Sequence, residues 1–228
     1  MGLNIIESET EAANLALALI ADTEIGNIDA NEPLAKYCRR WLDHCRDLAL
    51  RSHRWWWAGN RAELVRDSVD PIFDWSAQFI MPDDFLRLRE YRNLPLQQAS
   101  SMYRLERAPG GGSPRLLTND TTEIRILYTA RVKTVSEWSP DFTDALAYLL
   151  ASKIARHVTQ STKTEREMFQ MWKMALGAAT LSDARENKHP HRGPTGAVSD
   201  SRLVRARRGS GSDRVQVTET GGFGILPE

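Results

Sequence analysis

The chain has 228 residues, with 30 Lys and Arg balanced by 30 Asp and Glu, so its formal net charge is zero. That length suits one sizeable domain or a domain with an insertion. Overall neutrality argues against a general attraction to nucleic acid or anionic membrane, and no apolar run reaches membrane-spanning length. The opening residues carry neither a charged n-region nor an apolar h-region, so no secretory signal is expected.

Residues 8–21 read as a helix. Ser8 can cap it, Glu11 completes a capping box, and Ala12, Leu15, Ala16 and Leu19 share a face. A second helix is expected from Asn31-Glu32-Pro33, with Asn31 as its cap, to about His53. Leu34, Tyr37, Cys38, Trp41, Leu42, Cys45, Leu48 and Ala49 recur at the spacing of a buried face. Lys36, Arg39, Arg40, Asp43, Arg46 and Asp47 fall on the face expected to meet solvent. Cys38 and Cys45 sit about 10 Å apart along such a helix, too far for a disulfide, and read as small core residues in a reducing compartment.

Trp55-Trp56-Trp57 cannot all face one core. In extended chain Trp55 and Trp57 share a side and Trp56 opposes them. One reading plugs the helix end into a two-sided core. The sharper one makes Trp55, Trp56 and Trp57 candidates for a subunit interface, where tryptophan is enriched.

From Arg61 to Ala130 the period changes to two. Strands are expected at 61–66, 77–81, 86–92, 102–107, 115–118 and 123–130. Pro82-Asp83-Asp84, Asn93-Leu94-Pro95, the stretch 109–114 and Asn119-Asp120 read as breaks. Gly110-Gly111-Gly112 lacks the Lys-Ser/Thr and following helix of a phosphate loop and reads as a hairpin tip.

Helix resumes at Ser139-Pro140-Asp141, a capping residue, a first-turn proline and an acid at the positive dipole end. Phe142, Leu146, Leu149, Leu150, Ile154 and Val158 form its apolar face. After a break at 159–162, a fourth helix over 163–185 carries Met168, Met171, Trp172, Ala175, Leu176 and Ala179 as its expected buried stripe. Glu165, Glu167 and Asp183 read as solvated. The expected fold class is α+β: a four-helix bundle, with Trp41 and Trp172 inside it and Trp55–Trp57 near its edge, carrying an inserted, mostly antiparallel β domain. The divisions are 1–59, 60–131, 132–187 and an extended C-terminal arm over 188–228.

That arm turns to Gly, Pro, Ser and Arg, a composition that cannot bury enough apolar surface to offset its ordering entropy. Between Ser201 and Arg214, five arginines face the single acid Asp213, a local net of +4. The arm is expected to be ordered by another chain. Its apolar anchors would be Leu203, Val204, Val215, Val217, Phe223, Ile225 and Leu226. Arg202, Arg205, Arg207, Arg208 and Arg214 would pair with carboxylates.

No catalytic constellation is legible. There is no HExxH, Walker loop, GxSxG or GxGxxG. Asp83-Asp84 reads as a turn rather than a paired acid. His189-Pro190-His191, the one close histidine pair, has no nearby Cys or carboxylate cluster. No catalytic residue, cofactor or metal is therefore expected.

In order along the chain, several stretches resemble the head-to-tail adaptor of short-tailed bacteriophages, the tail tubular protein A family. Asn14-Leu15-Ala16-Leu17-Ala18-Leu19-Ile20 followed by Ile28-Asp29 is similar to its opening helix. Ala35-Lys36-Tyr37-Cys38 through Arg51, with Trp55-Trp56-Trp57-Ala58, is similar to its second helix, which ends in a Trp/Phe-Ala pair. Phe79-Ile80-Met81-Pro82-Asp83-Asp84-Phe85-Leu86-Arg87 resembles the family's P-x-D-F-L-R lead into the β insertion. The segment from Tyr128 to Trp138, then Pro140-Asp141-Phe142 and Ala145-Leu146-Ala147-Tyr148-Leu149-Leu150-Ala151, resembles its third helix. The likeness spans residues 10–180; the arm after 187 has no matching motif, and the Trp triplet is richer than the family pattern.

The resemblance implies a structural protein of the virion, assembled in the host cytoplasm, and not an enzyme. Such adaptors form a ring, typically of about twelve copies, that closes by heterologous contacts. The implied partners are the portal protein, the tubular tail nozzle and tail fibres, with no membrane. Genomic DNA would pass through the channel without sequence-specific binding, since a tight ring of unpaired arginines would hold it. Two other readings stay open. A neck or head-completion protein of a long-tailed phage shares the helical core but usually has a smaller insertion. A nucleic-acid-binding regulator would use the basic arm, and salt-sensitive DNA binding by an arm peptide would mark it.

Overall fold

Ser8 opens the first helix, α1 (Glu9–Ala18), with a complete capping box. Its hydroxyl accepts from the Glu11 amide at 3.1 Å, and the Glu11 carboxylate accepts from the Ser8 amide at 3.2 Å. This comes from a computed structural model of the chain, which describes residues 6–108 and 111–186. The described residues belong to one compact unit. The expected arm, with its anchors between Arg202 and Leu226, lies outside the described residues, as do His189 and His191.

The second helix, α2 (Pro33–Ser52), starts one residue later than its expected cap. Glu32 is the N-cap and makes no side-chain cap bond; Asn31 is not the cap, and Pro33 at the first turn sets the start. Ala35, Cys38, Leu42, Cys45, Ala49 and Leu50 are buried along it, whereas Leu48 faces solvent. Burial pushes the Cys38 thiol up to about 11 and the Cys45 thiol to about 12, so both stay protonated.

Arg46 corrects the expectation of a solvated face. It is buried and meets Asp43 at 2.8 Å, Asp47 at 3.4 Å and Glu9 of α1 at 3.5 Å. Asp47 also holds Arg131 at 2.8 Å. One guanidinium thus ties the first two helices together, and its carboxylate neighbour ties them to the chain leaving the sheet.

The β region contains seven strands: β1 (Gly59–Arg66), β2 (Ala77–Ile80), β3 (Phe85–Tyr91), β4 (Leu94–Pro95), β5 (Tyr103–Glu106), β6 (Arg115–Thr118) and β7 (Ile124–Ala130). All pairings are antiparallel, in the order β4-β3-β7-β1-β2-β6-β5. The sheet curls. Tyr91 on β3 stacks on Tyr103 of β5 with centroids 5.2 Å apart, and its hydroxyl lies 2.8 Å from that of Thr118 on β6, although these strands sit toward opposite ends of the order. Leu64, Phe79, Leu88, Leu116, Ile124 and Ile126 fill the curl.

The strand β4 and a single-turn helix, α3 (Leu96–Ala99), occupy a stretch expected to be a break. Arg92 and Asn93 both adopt positive φ, 49° and 62°, which makes a two-residue hairpin turn of the twist that suits a sheet. Pro95 is tolerated because β4 is an edge.

The paired acids at the start of β3 are structural, as the turn reading expected. Asp83 accepts from the Ser113 hydroxyl at 2.6 Å and Asp84 from the Tyr128 hydroxyl at 2.9 Å.

Ser139 caps the helix α4 (Pro140–Thr159), accepting from the Phe142 amide at 3.3 Å, and Gln160 ends it in the left-handed conformation. The last helix is α5 (Thr162–Glu186). α4 is the hub of the helical layer: α1, α2 and α5 each pack on it. The fold is therefore mixed helix and strand, an antiparallel curled sheet joined to helices gathered on α4.

Gly59 stands where these two parts meet. An added Cβ would lie 2.8 Å from Arg89 Nη1 and 3.2 Å from the Trp56 carbonyl. Arg89 cannot swing away, because Nε donates to the Thr129 hydroxyl and an η nitrogen to the Trp55 carbonyl, both at 2.8 Å. Gly59→Ala is expected to cost ~1–3 kcal/mol of stability, the usual range for overpacking, read as a lower urea midpoint with an unchanged slope.

Candidate assembly surfaces

The Trp triplet splits as its alternation predicts, through a 3-10 turn at Trp56–Ala58 rather than a strand. Trp55 is fully buried; its indole donates to the Ala49 carbonyl at 3.0 Å. Trp55 and Trp57 both meet Phe142 edge to face, at 5.3 and 5.0 Å. Trp56 points the other way and is 51% exposed. Its indole donates to Glu186 at 3.2 Å and its amide to Asp183 at 3.2 Å. Of the three interface candidates, Trp56 has the surface to serve.

Asp183 is buried, contrary to its reading as a solvated residue. Besides Trp56, it holds His53 Nε2 at 2.9 Å, so the last turn of α5 is bolted to the end of α2. Beside it lies a concentration of arginines. Burial first, then the charge of Arg54, lowers the pKa of Arg89 to about 10; Arg87 adds to the fall and Asp183 opposes it. Arg87 donates to the Arg51 carbonyl at 3.0 Å.

Arg51, Arg87 and Arg107 line a cleft of about 490 Å³ together with apolar residues that include Phe85, Leu96 and Tyr103. That volume is within the ~300–1,000 Å³ of clefts that hold ligands. Among the described residues, none of Arg51, Arg87 and Arg107 has a carboxylate partner. Glu106 at the rim pairs with Arg104 at 3.1 Å.

The expected stripe on α5 is only half covered. Ala179 is buried, while Met168, Trp172 and Leu176 pack partly on the helical core and Met171 reaches the surface. Met174 and Leu181 are 61% and 63% exposed. The helix packs chiefly on α4 and is tied at its last turn to His53 and Trp56, which leaves Met174 and Leu181 exposed on one flank.

Among the described residues the most exposed apolar ones lie elsewhere, on the loop between β1 and β2. Ile72 is 93% and Phe73 72% exposed, with Val69 beside them. The first half of the loop is nevertheless held firmly. Asp67 pairs with Arg115 at 2.5 Å, Asp70 with Arg66 at 2.9 Å, and Gln78 donates to the Val69 carbonyl at 2.7 Å. Asp74, at φ 68°, carries the loop's remaining carboxylate. This loop escaped the strand-based reading because it belongs to neither period. Its signal was three aspartates alternating with Val69, Ile72, Phe73 and Trp75 around Pro71, too apolar for an ordinary connection.

The Arg115 hydrogen bond, first among several causes, holds the Asp67 carboxyl below its usual range. A lowered folded pKa stabilises above the unfolded value and loses that effect as pH falls through the folded one. The protection of amides 67–70 from hydrogen exchange, relative to their intrinsic rates at each pH, is thus expected to hold down to about pH 4, near the ordinary Asp value, and to fall only below it.

Among the described residues no group of His, Cys, Asp and Glu is placed to hold a metal ion, and no helix is long and apolar enough to cross a membrane. No family model and no curated protein matches the chain.

Proposed function

We propose that this chain is a structural subunit of a bacteriophage head-to-tail connector, an adaptor ring joining the portal to the tail nozzle and enclosing part of the DNA ejection channel. The observation that carries the reading is the β1–β2 loop, which leaves Ile72 and Phe73 exposed although ion pairs and a hydrogen bond tie down its first half at Asp67, Val69 and Asp70. Large apolar side chains left in water mark an interaction surface, and tying down part of their loop beforehand lowers the ordering cost of binding. The uncovered flank of α5 is a second, unlike surface on the same body. Two unlike surfaces suit heterologous contacts, which close into a ring where the rotation permits.

In this reading the four long helices act as the bundle of the ring's body, and the arm after residue 187 grips the portal. Many weak grips around one axis add up to a joint far tighter than any one of them. The nozzle and tail fibres would meet the opposite side, and the protein would reside in the virion after assembly in the host cytoplasm. Genomic DNA would pass without base readout.

Electron microscopy of the purified full-length chain, alone and with its portal, tests this. The expected result is closed rings with a central hole, seated on the portal. A chain that stays monomeric under both conditions would sink the proposal.

A further inference from the structure

We propose that the β1–β2 loop of one copy docks in the arginine cleft of the next, making the lateral contact of the ring; this rests on the connector reading. The occupant is identified by what each surface lacks. Among the described residues Ile72 and Phe73 are the most exposed large apolar ones, and Asp74 beside them has no arginine or lysine partner. The cleft is lined by Phe85, Leu96 and Tyr103 together with Arg51, Arg87 and Arg107, none of which has a carboxylate partner among the described residues. An apolar pair with one free carboxylate therefore meets a slot lined by apolar side chains and free guanidiniums. Arginine is suited to this, since its planar fork binds a carboxylate bidentately and stacks on aromatic rings.

The pairing is directional. A loop enters a cleft on another copy, and that copy's own loop stays free for the next, so the contact repeats without self-pairing. Duplex DNA is the competing occupant of an arginine-lined surface. It is disfavoured because phosphates gain nothing from Phe85, Leu96 and the rest of the apolar lining, and would leave Ile72 and Phe73 in water.

The test mixes two single-cysteine variants of the full-length chain, Ile72→Cys and Leu105→Cys. Leu105 also lines the cleft, and both positions are exposed, so neither change disturbs a core. The native Cys38 and Cys45 are buried and stay silent. Under oxidation the mixture is expected to give intermolecular disulfides that neither variant gives alone. Adding Phe73→Asp to the loop partner should cut the bridged fraction at least about tenfold, the scale for losing one buried anchor.

Charge reversal supplies a second, independent readout. Asp74→Arg chains and Arg107→Glu chains should each assemble poorly. Mixed, they should assemble again, because alternating copies restore one reversed contact and keep one native contact. Rings that form while the mixed thiols do not bridge would overturn the docking and leave the connector reading standing. Bridged chains that grow only into open filaments would support the docking and sink the ring. Arg107→Glu that weakens duplex DNA binding yet leaves bridging unchanged would assign the cleft to DNA and overturn the docking.

Discussion

Trp55→Ala should lower the free energy of unfolding by ~3–5 kcal/mol, the range for emptying a fully packed aromatic site. Trp55 has no exposed surface, donates its indole N–H to the Ala49 carbonyl, meets Phe142 edge to face and packs tilted against Trp57. Its own carbonyl accepts from Arg89, so movement of the backbone there would also loosen the junction of sheet and helices. The two neighbours should behave differently. Trp56→Ala should cost about 1 kcal/mol or less, because the ring is half exposed and its bond to Glu186 lies at the surface. Trp57→Phe should be close to neutral. Its buried indole N–H has no partner among the described residues, and removing an unpaired donor offsets the lost packing. Chemical denaturation of the three variants checks the order. A Trp55 variant as stable as the Trp56 variant would mean the core does not close over this residue.

What was legible in the sequence was local. The capping box at Ser8 and Glu11 and the Ser139-Pro140 start are decided within four residues, and both helices begin there. The switch between 3.6-residue and 2-residue periods located six of the seven strands. The missing strand, β4, is two residues long and follows an Arg92-Asn93 turn, which lacks the glycine that usually announces such hairpins.

What was illegible was non-local. Asp183 looks like any polar residue on a helix, and it is buried only because His53 and Trp56, 130 and 127 residues earlier, are delivered to it by the fold. Arg46 is buried because α1 brings Glu9 over it. The half-covered stripe of α5 is a similar case. Its period shows that one face is apolar, but not how much of it neighbours will cover, and α4 is its main cover. The assembly surfaces proposed above arise where this pattern promises burial that the single chain does not deliver.

Deleting residues 190–228 should leave the thermal midpoint of the body within about 2 °C while abolishing retention on the portal. The body's independence follows from where its last contacts fall. The last described helix ends at Glu186. Asp183 and Glu186, the final described anchors, bind His53 and Trp56 and are kept in the truncated chain. A shift of a few degrees in a domain of this size would correspond to roughly 1 kcal/mol, so a flat midpoint would exclude a stabilising role for the arm on its own body. Retention is the other half of the expectation. The arm's arginines and scattered apolar residues cannot build a core of their own. On a partner, repeated around a ring, the same weak contacts multiply, and removing every copy should turn a joint that survives gradient sedimentation into one that falls apart. The truncated chain should still form the lateral loop-to-cleft disulfide, because Ile72 and Leu105 are untouched. Sedimentation of portal mixed with full-length or truncated chain reads the first effect and the thiol trap reads the second. Truncated protein that still travels with the portal would remove the arm from the interface and move that contact onto the body, where the exposed flank of α5 would be the first surface to mutate.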